Sequence, residues 1–294
     1  MQIESLKVFC DLVETESFTK AARINSVTQS AVSQQMSALE RIFKSPLLER
    51  GRKQFRLTRE GQVLYDCSKR ILQSYASLDS RLQELKEIVS GAFRVACMYS
   101  IGLHILPPYL KEYMRRYPTV NVHVEYRHAE QVYEDVQSNI VDLGFVAFPV
   151  RDSKLEIVPL GKEPFVLICH PRHPLAKQKS IKLKALEGQN LVSFAPDLPT
   201  RTAIDRMLRE HGVGVKPVMQ FDNVETVKRA VEIDSGISIV PQSSIQQEIQ
   251  GRTLASAVIE HGQHTRPLAA IYKKNRVLSP AMKQFLATLK GEGC

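Results

Sequence analysis

Residues 17–40 read SFTKAARINSVTQSAVSQQMSALE, and this stretch decides how the N-terminal part folds. Ser17 stands where a side-chain oxygen caps a short helix running through Ile24, in which the small pair Ala21 and Ala22 lets a neighbouring helix approach closely. Asn25-Ser26 supplies a tight turn, and Thr28 is a second cap. A third helix, over about 28–40, buries Val32, Met36 and Leu39 at helical spacing and turns Gln29, Ser30, Ser33, Gln34 and Ser37 the other way. That outer face is polar but almost uncharged. A solvated helix face ordinarily carries Lys and Glu, whereas amides and hydroxyls match base edges and phosphates in a major groove. The layout is a helix-turn-helix whose second helix reads DNA, with Thr28, Gln29, Ser30, Ser33 and Gln34 as candidate contacts.

Upstream, Ile3, Leu6, Phe9, Leu12 and Val13 recur at helical spacing and form the first helix. Downstream, Leu47-Leu48 and Phe55-Arg56-Leu57 are expected as two short strands around a basic turn at 51–54. Arg50, Arg52, Lys53, Arg56 and Arg59 fall within ten residues without an acid, the composition of a wing that meets phosphates; Arg50, Arg52, Lys53 and Thr58 join the DNA-contact candidates. Thr58 caps a long helix to about Val89, in which Leu64, Ile71, Leu78 and Leu85 recur every seven residues, joined by Tyr75, Leu82 and Val89. Such a seam wants a partner helix, the alternative being packing on the chain's own body.

From Leu6 to Thr58 the sequence closely resembles the helix-turn-helix of the LysR-type transcriptional regulators. The matching residues are Phe9 with the Ser17-Phe18-Thr19-x-Ala21-Ala22 run, Val27–Ser33, Ala38-Leu39-Glu40 and Leu57-Thr58-x-x-Gly61. Ser30 departs from the pattern, many members carrying proline at the start of the reading helix. The resemblance implies a mainly-α winged helix-turn-helix joined by a long linker helix to an α/β effector domain of two lobes, like a periplasmic binding protein. It also implies a homodimer or homotetramer on a palindromic promoter site, controlled by a small-molecule effector, with RNA polymerase as a partner if the output is activation. The central segment resembles regulators of carbon fixation or sulfur assimilation.

The last two hundred residues read as α/β. Strands are expected at Phe93–Met98, Val120–Tyr126 and Leu143–Phe148 with helices near 103–116 and 131–140. A second set has strands at Phe165–Cys169, Leu191–Phe194, Val218–Phe221 and Ile237–Val240 with helices near 200–210 and 224–233. Leu268–Tyr272 and an amphipathic helix over Ser279–Lys290 follow. The resemblance returns these to the first lobe through crossovers near 161–164 and 265–267. The divisions are therefore 1–58, DNA-binding; 59–90, linker helix; and 91–294, effector-binding, with lobes at about 91–161 plus 267–294 and 162–266.

Ligands of open α/β sheets collect at strand carboxyl ends, where helix N-termini offer free N–H groups to anions. Ser100-Ile101-Gly102 after the first strand, and Phe194 with Thr200-Arg201-Thr202, are such ends, although capping alone also accounts for Ser100 and Thr200. By the resemblance the effector pocket lies at these segments, with His128, Ala129 and Val146 as further walls. Arg201 is the expected specificity element for a small anionic effector.

Composition bounds the rest. The net charge of +9 favours polyanionic partners. No charged leader with an apolar core and no apolar run of about 18 residues occurs, so a cytoplasmic protein with no membrane partner is expected. Five cysteines without a C-x-x-C pair suggest neither a disulfide framework nor a zinc site. Cys169, His170 and His173 are a tempting metal cluster, but Pro171 and Pro174 force an extended turn and no further ligand lies near. No hydrolase, P-loop, zincin or dinucleotide fingerprint occurs, so no catalytic residue, metal or cofactor is expected and an enzyme is disfavoured. The rival readings are a DNA-organising protein whose lobes serve assembly only, and a DNA-tethered enzyme, which would need an acid–base pair in the cleft.

Overall fold

A computed structural model describes residues 2–49, 55–85, 89–260 and 264–291. The N-terminal head is α1 (Ile3–Thr15), α2 (Phe18–Ile24) and α3 (Gln29–Phe43), packed around Leu6, Phe9, Leu12, Val32, Met36 and Leu39. Ser17 Oγ accepts from the Lys20 amide and Thr28 Oγ1 from the Ala31 amide, so both caps close the helices that follow them. α3 runs three residues beyond the expected end at 40, to Lys44 in a left-handed conformation. Among the described residues the two expected strands amount to the Leu48–Leu57 bridge with the Glu49 N–H to Arg56 and Thr58 N–H to Leu47 carbonyl bonds; the basic turn at 51–54 lies outside the described residues.

The linker helix α4 (Arg59–Leu85) starts where Thr58 Oγ1 accepts from the Gly61 amide and donates to the Pro46 carbonyl. A Cβ at Gly61 would sit 2.1 Å from the Leu47 carbonyl oxygen, so only glycine lets the helix lie this close to the head. Leu64 packs on the head, whereas Ile71, Tyr75, Leu78 and Leu82 are exposed; the Leu85 side chain lies outside the described residues, and Val89 packs on the first lobe.

The C-terminal part is α/β in two lobes. In chain order it contains β1 (Gly91–Met98), α5 (Tyr99–His104), α6 (Leu106–Arg116), β2 (Val120–Arg127), α7 (Ala129–Gln137), β3 (Leu143–Ala147) and β4 (Leu155–Cys169). There follow β5 (Ser180–Ile181), β6 (Asn190–Phe194), α8 (Pro199–Glu210), β7 (Lys216–Phe221), α9 (Val224–Glu232), β8 (Ser238–Pro241), α10 (Gln246–Gly251) and β9 (Ala255–Ile259). β10 (Thr265–Lys273) and α11 (Pro280–Lys290) close the chain onto the first lobe. The first-lobe strand order is β2-β1-β3-β10-β4, with β1 parallel to β2 and β3 and β10 antiparallel to its neighbours. β4 continues into the second lobe, where β8 and β9 flank it and a Leu191–Ile237 bridge carries the parallel pair β6-β7.

Several expectations are corrected. The helix expected over 103–116 is two, broken at Ile105. Pro107 and Pro108 lack the N–H groups a continuous helix would need and clash with the preceding turn, so α6 begins anew with proline in its first turn. The strand expected at Phe165–Cys169 is the far end of fifteen-residue β4, and β5, α10 and β9 were not anticipated. The third strand ends at Ala147; Phe148 has φ 53° and packs against the cores of both lobes.

The head is fastened to the first lobe. The buried carboxylate of Glu14 on α1 accepts from Tyr65 Oη at 3.0 Å and Lys69 Nζ at 2.5 Å on α4, and from Asn139 Nδ2 and Lys273 Nζ, both at 2.5 Å, on the first lobe. Ile24 of α2 is buried in one apolar cluster with Val132, Val136, Ile140 and Leu155.

Candidate DNA-reading face and interlobe cavity

On α3 the buried side is fixed by Val32, Met36 and Leu39, which leaves Gln29, Ser30, Ser33, Gln34 and Ser37 exposed along one shallow groove that ends at Arg41. Thr28 caps the helix and shares a 2.8 Å hydroxyl contact with Ser30. The structure therefore brings Thr28, Gln29, Ser30, Ser33 and Gln34 to one helix start and face. Arg41 was missed by sequence reasoning; its signal is its position, seven residues after Gln34 and four after Ser37. Thr58 is committed to the α4 cap and to Pro46. Arg50, Arg52 and Lys53 lie outside the described residues.

Between the lobes lies a cavity of about 40 Å³. From the first lobe Tyr99, Ser100, Arg127, His128 and Ala129 reach it, from the second Phe194, Leu198, Thr200, Asp222 and Asn223, and from the crossover Arg266. Five expected residues thus share one wall system: Ser100, His128, Ala129, Phe194 and Thr200. The others do not line it. Ile101 and Gly102 are buried in α5, and a Cβ on Gly102 would meet Cys97 Sγ and Tyr126 at 2.5 Å. Val146 is buried in β3 opposite Ala269. Arg201 Nε donates to both Asp205 oxygens, at 2.8 and 2.7 Å, and Nη1 to the Phe194 carbonyl, so this guanidinium braces α8. Thr202 is exposed one position further along α8.

Arg266 is only 1 % exposed. Its Nε donates to Glu163 Oε2 at 2.6 Å and its Nη1 to Ser100 Oγ at 2.9 Å. Burial lowers its pKa and the neighbouring Glu163 carboxylate opposes that, keeping the charge in place. Arg127 is held by Asp135 and Glu125. Tyr99 stacks on Tyr126 at 5.3 Å and leans toward His128. A second polar tie crosses the cleft, from His104 Nε2 on α5 to Glu225 Oε1 on α9 at 2.7 Å. Glu225 and buried Glu248 share the Lys228 ammonium, which also donates to the Ser244 carbonyl. Burial opposes ionisation of Glu225, but the bonds from Lys228 and His104 outweigh it and hold the carboxyl below its usual range.

Cys169 ends β4 and the His170–His173 segment after it turns the chain. His170 Nδ1 accepts from the Arg172 amide and His173 Nδ1 from the Leu175 amide, while burial pushes the Cys169 thiol up to about 11. Among the described residues no group of three or more His, Cys, Asp or Glu is placed to hold a metal ion, and no helix is long and apolar enough to cross a membrane.

Comparison with known proteins matches residues 3–62 to the family described as "Bacterial regulatory helix-turn-helix protein, lysR family" and residues 86–293 to "LysR substrate binding domain". The chain is 28% identical to the HTH-type transcriptional regulator CysL of Bacillus subtilis, over 99% of this chain and 97% of that protein. It is 30% identical to the HTH-type transcriptional activator CmpR of Synechocystis, over 97% and 93%. Among solved structures, full-length CbnR complexed with its target DNA has a TM-score of 0.63 at 23% identity, covering 100% of both chains. The CcmR regulatory domain of Synechocystis PCC6803 in complex with 2-PG has a TM-score of 0.62 at 25% identity, covering 69% of this chain and 98% of that one.

Proposed function

The chain belongs to the LysR family of transcriptional regulators, DNA-binding proteins with an effector-binding domain, and from that premise we propose how it reads DNA and what controls it. Two copies associate through α4 and set their α3 helices into successive major grooves of a palindromic promoter site. The exposed, uncharged face of α3 carries this reading. Gln29 and Ser33 contact base edges or key phosphates, Thr28, Ser30 and Gln34 complete the reading face, and Arg50, Arg52 and Lys53 meet the phosphate backbone. A small anionic effector seats between the lobes against Ser100, His128, Ala129, Phe194 and Thr200; the 2-PG held by the CcmR regulatory domain supports that class. The cavity is lined by residues of both lobes, so an effector seated in it acts on how the lobes sit against each other. That change, passed through α4 to paired heads, is the output, with RNA polymerase the partner where the output is activation. The site of action is promoter DNA in the cytoplasm.

Fluorescence anisotropy on specific and scrambled duplexes tests the DNA reading. Gln29→Ala and Ser33→Ala are each expected to weaken specific binding by about 1–3 kcal/mol and the scrambled duplex far less. Equal losses on both duplexes would remove these residues from base readout. In the same assay 2-PG is expected to change the affinity of the full-length protein for the specific duplex, and an unchanged affinity would count against this effector.

A further inference from the structure

One wall of the interlobe cavity is a guanidinium with an unused edge. Arg266 on β10 lies directly across the ladder from Glu163 on β4, spending Nε on that carboxylate and Nη1 on Ser100. Its Nη2 is buried and has no hydrogen-bond partner among the described residues, while the side chain lines the cavity. A guanidinium carries five N–H donors, and a charged donor left dry and unpaired is expensive enough that such groups persist where something else completes them.

A second observation selects the sign of that partner. The N-terminal ends of α7, α8 and α9, helices of nine, twelve and nine residues, reach the same cavity at His128-Ala129, Leu198-Thr200 and Asn223-Val224. Three positive helix ends from both lobes therefore line the cavity that Arg266 also lines. The acid on the wall, Asp222, is exposed and accepts from Asn223 Nδ2, and Glu163 stands behind Arg266. Arg201 offers nothing comparable, because Asp205 and the Phe194 carbonyl already hold it.

We propose that Arg266, through its Nη2 donors, takes the oxyanion end of the effector, a carboxylate or phosphate group, and that this contact couples binding to the angle between the lobes. The inference rests on the effector reading above and names the residue that reads the charge. The coupling follows from what else the guanidinium touches. Ser100 belongs to the first lobe, and the other Glu163 oxygen accepts from the Ser243 amide of the second, so Ser100, Arg266, Glu163 and Ser243 form one chain across the crossover. An oxyanion at Nη2 completes that chain in the place where the lobes pivot.

The test is calorimetric titration of the full-length protein with inorganic phosphate, followed with acetate, for wild type and three variants. Wild type is expected to bind phosphate saturably at one site per chain. Arg266→Lys keeps a charge against Glu163 but loses the Nη2 donors, and its affinity is expected to fall by about tenfold or more. The double variant Arg266→Gln with Glu163→Gln removes both charges of the pair together, leaving no unpaired buried ion if the lysine variant folds poorly, and is expected to lose phosphate as well; circular dichroism checks the fold of each. Wild-type affinity in both folded variants overturns the assignment of Arg266. Ala129→Trp, which fills the cavity, separates the two readings: if it leaves phosphate binding intact, the cavity itself is not the effector site. Absence of saturable binding of both phosphate and acetate by wild type overturns the oxyanion class.

Discussion

At the residue scale, Glu14 shows how one ionisable group can hold separate parts of a chain together. Burial works against its ionisation, but the hydrogen bonds from Lys273 and Lys69 outweigh it and hold the carboxyl below the usual glutamate range. Lys273 is lowered, first by burial and then by the neighbouring Lys69 and Arg276, against its bond to Glu14; its own linkage therefore falls in the alkaline range, and of this pair Glu14 acts in the acid window. A carboxyl lowered on folding contributes stability that is fully present above its unfolded pKa of about 4.3 and lost as pH falls through the folded value. Urea unfolding at a series of pH values is expected to show wild type losing stability through that acid window. Glu14→Gln should be less stable at pH 7 and should flatten the acid limb, and parallel pH profiles would mean that Glu14 is not the group responsible. Arg201 and Arg266 show the limits of reading single residues. The sequence pointed to Arg201 because it stands in the first turn of α8, yet its i+4 neighbour Asp205 claims it. Arg266 was invisible because its partners, Glu163 and Ser100, are 103 and 166 residues away.

At the element scale, α4 exposes Ile71, Tyr75, Leu78 and Leu82 at 45 to 55 % of their surface, a stripe on one side of a 27-residue helix. A second α4 laid along it would bury these side chains, each full burial contributing about 1.5–3 kcal/mol. Ile71→Asp combined with Leu78→Asp places two unpaired charges in that seam on each chain and is expected to give a monomer by light scattering, with affinity for a palindromic site falling in parallel. A double variant that keeps the wild-type mass would show that α4 is not the dimerising element. Elements with local causes were legible: the caps Ser17, Thr28 and Thr58 each sit one residue before the helix they start, and the apolar periodicity of α1 and α3 is plain. Elements defined by distant partners were not. The first ten residues of β4 include Pro159, Gly161, Lys162 and Glu163 and alternate poorly, because their pairing is set by β10 a hundred residues on. β5 is two residues long and exists by pairing with β9. The cavity followed the same rule: its helix-start residues Ser100, His128, Ala129 and Thr200 could be placed from the sequence and the family resemblance, whereas the crossover residue was found from the fold.

At the scale of the whole molecule, polar ties and apolar packing join regions that the chain order keeps apart. His104 and Glu225 tie lobe to lobe, Arg266 and Glu163 rivet the crossover, Phe148 sits in both lobe cores, and Glu14 with Ile24 fastens the head to the first lobe. Differential scanning calorimetry of the full-length protein is therefore expected to show the head and effector part melting in one cooperative transition. Glu14→Gln should separate it into two, with the head melting first. Two resolved transitions in the wild type would show that the parts are only loosely joined. The Glu14 anchor also has a genetic consequence. Substitutions at Asn139 or Lys273, residues that lie neither on the α3 face nor on the cavity wall, should yield alleles that still fold and still occupy the promoter but have become deaf to the inducing signal. A screen for signal-blind regulators that still occupy the promoter would then recover mutations at the buried contact between head and lobe as readily as in the interlobe cavity.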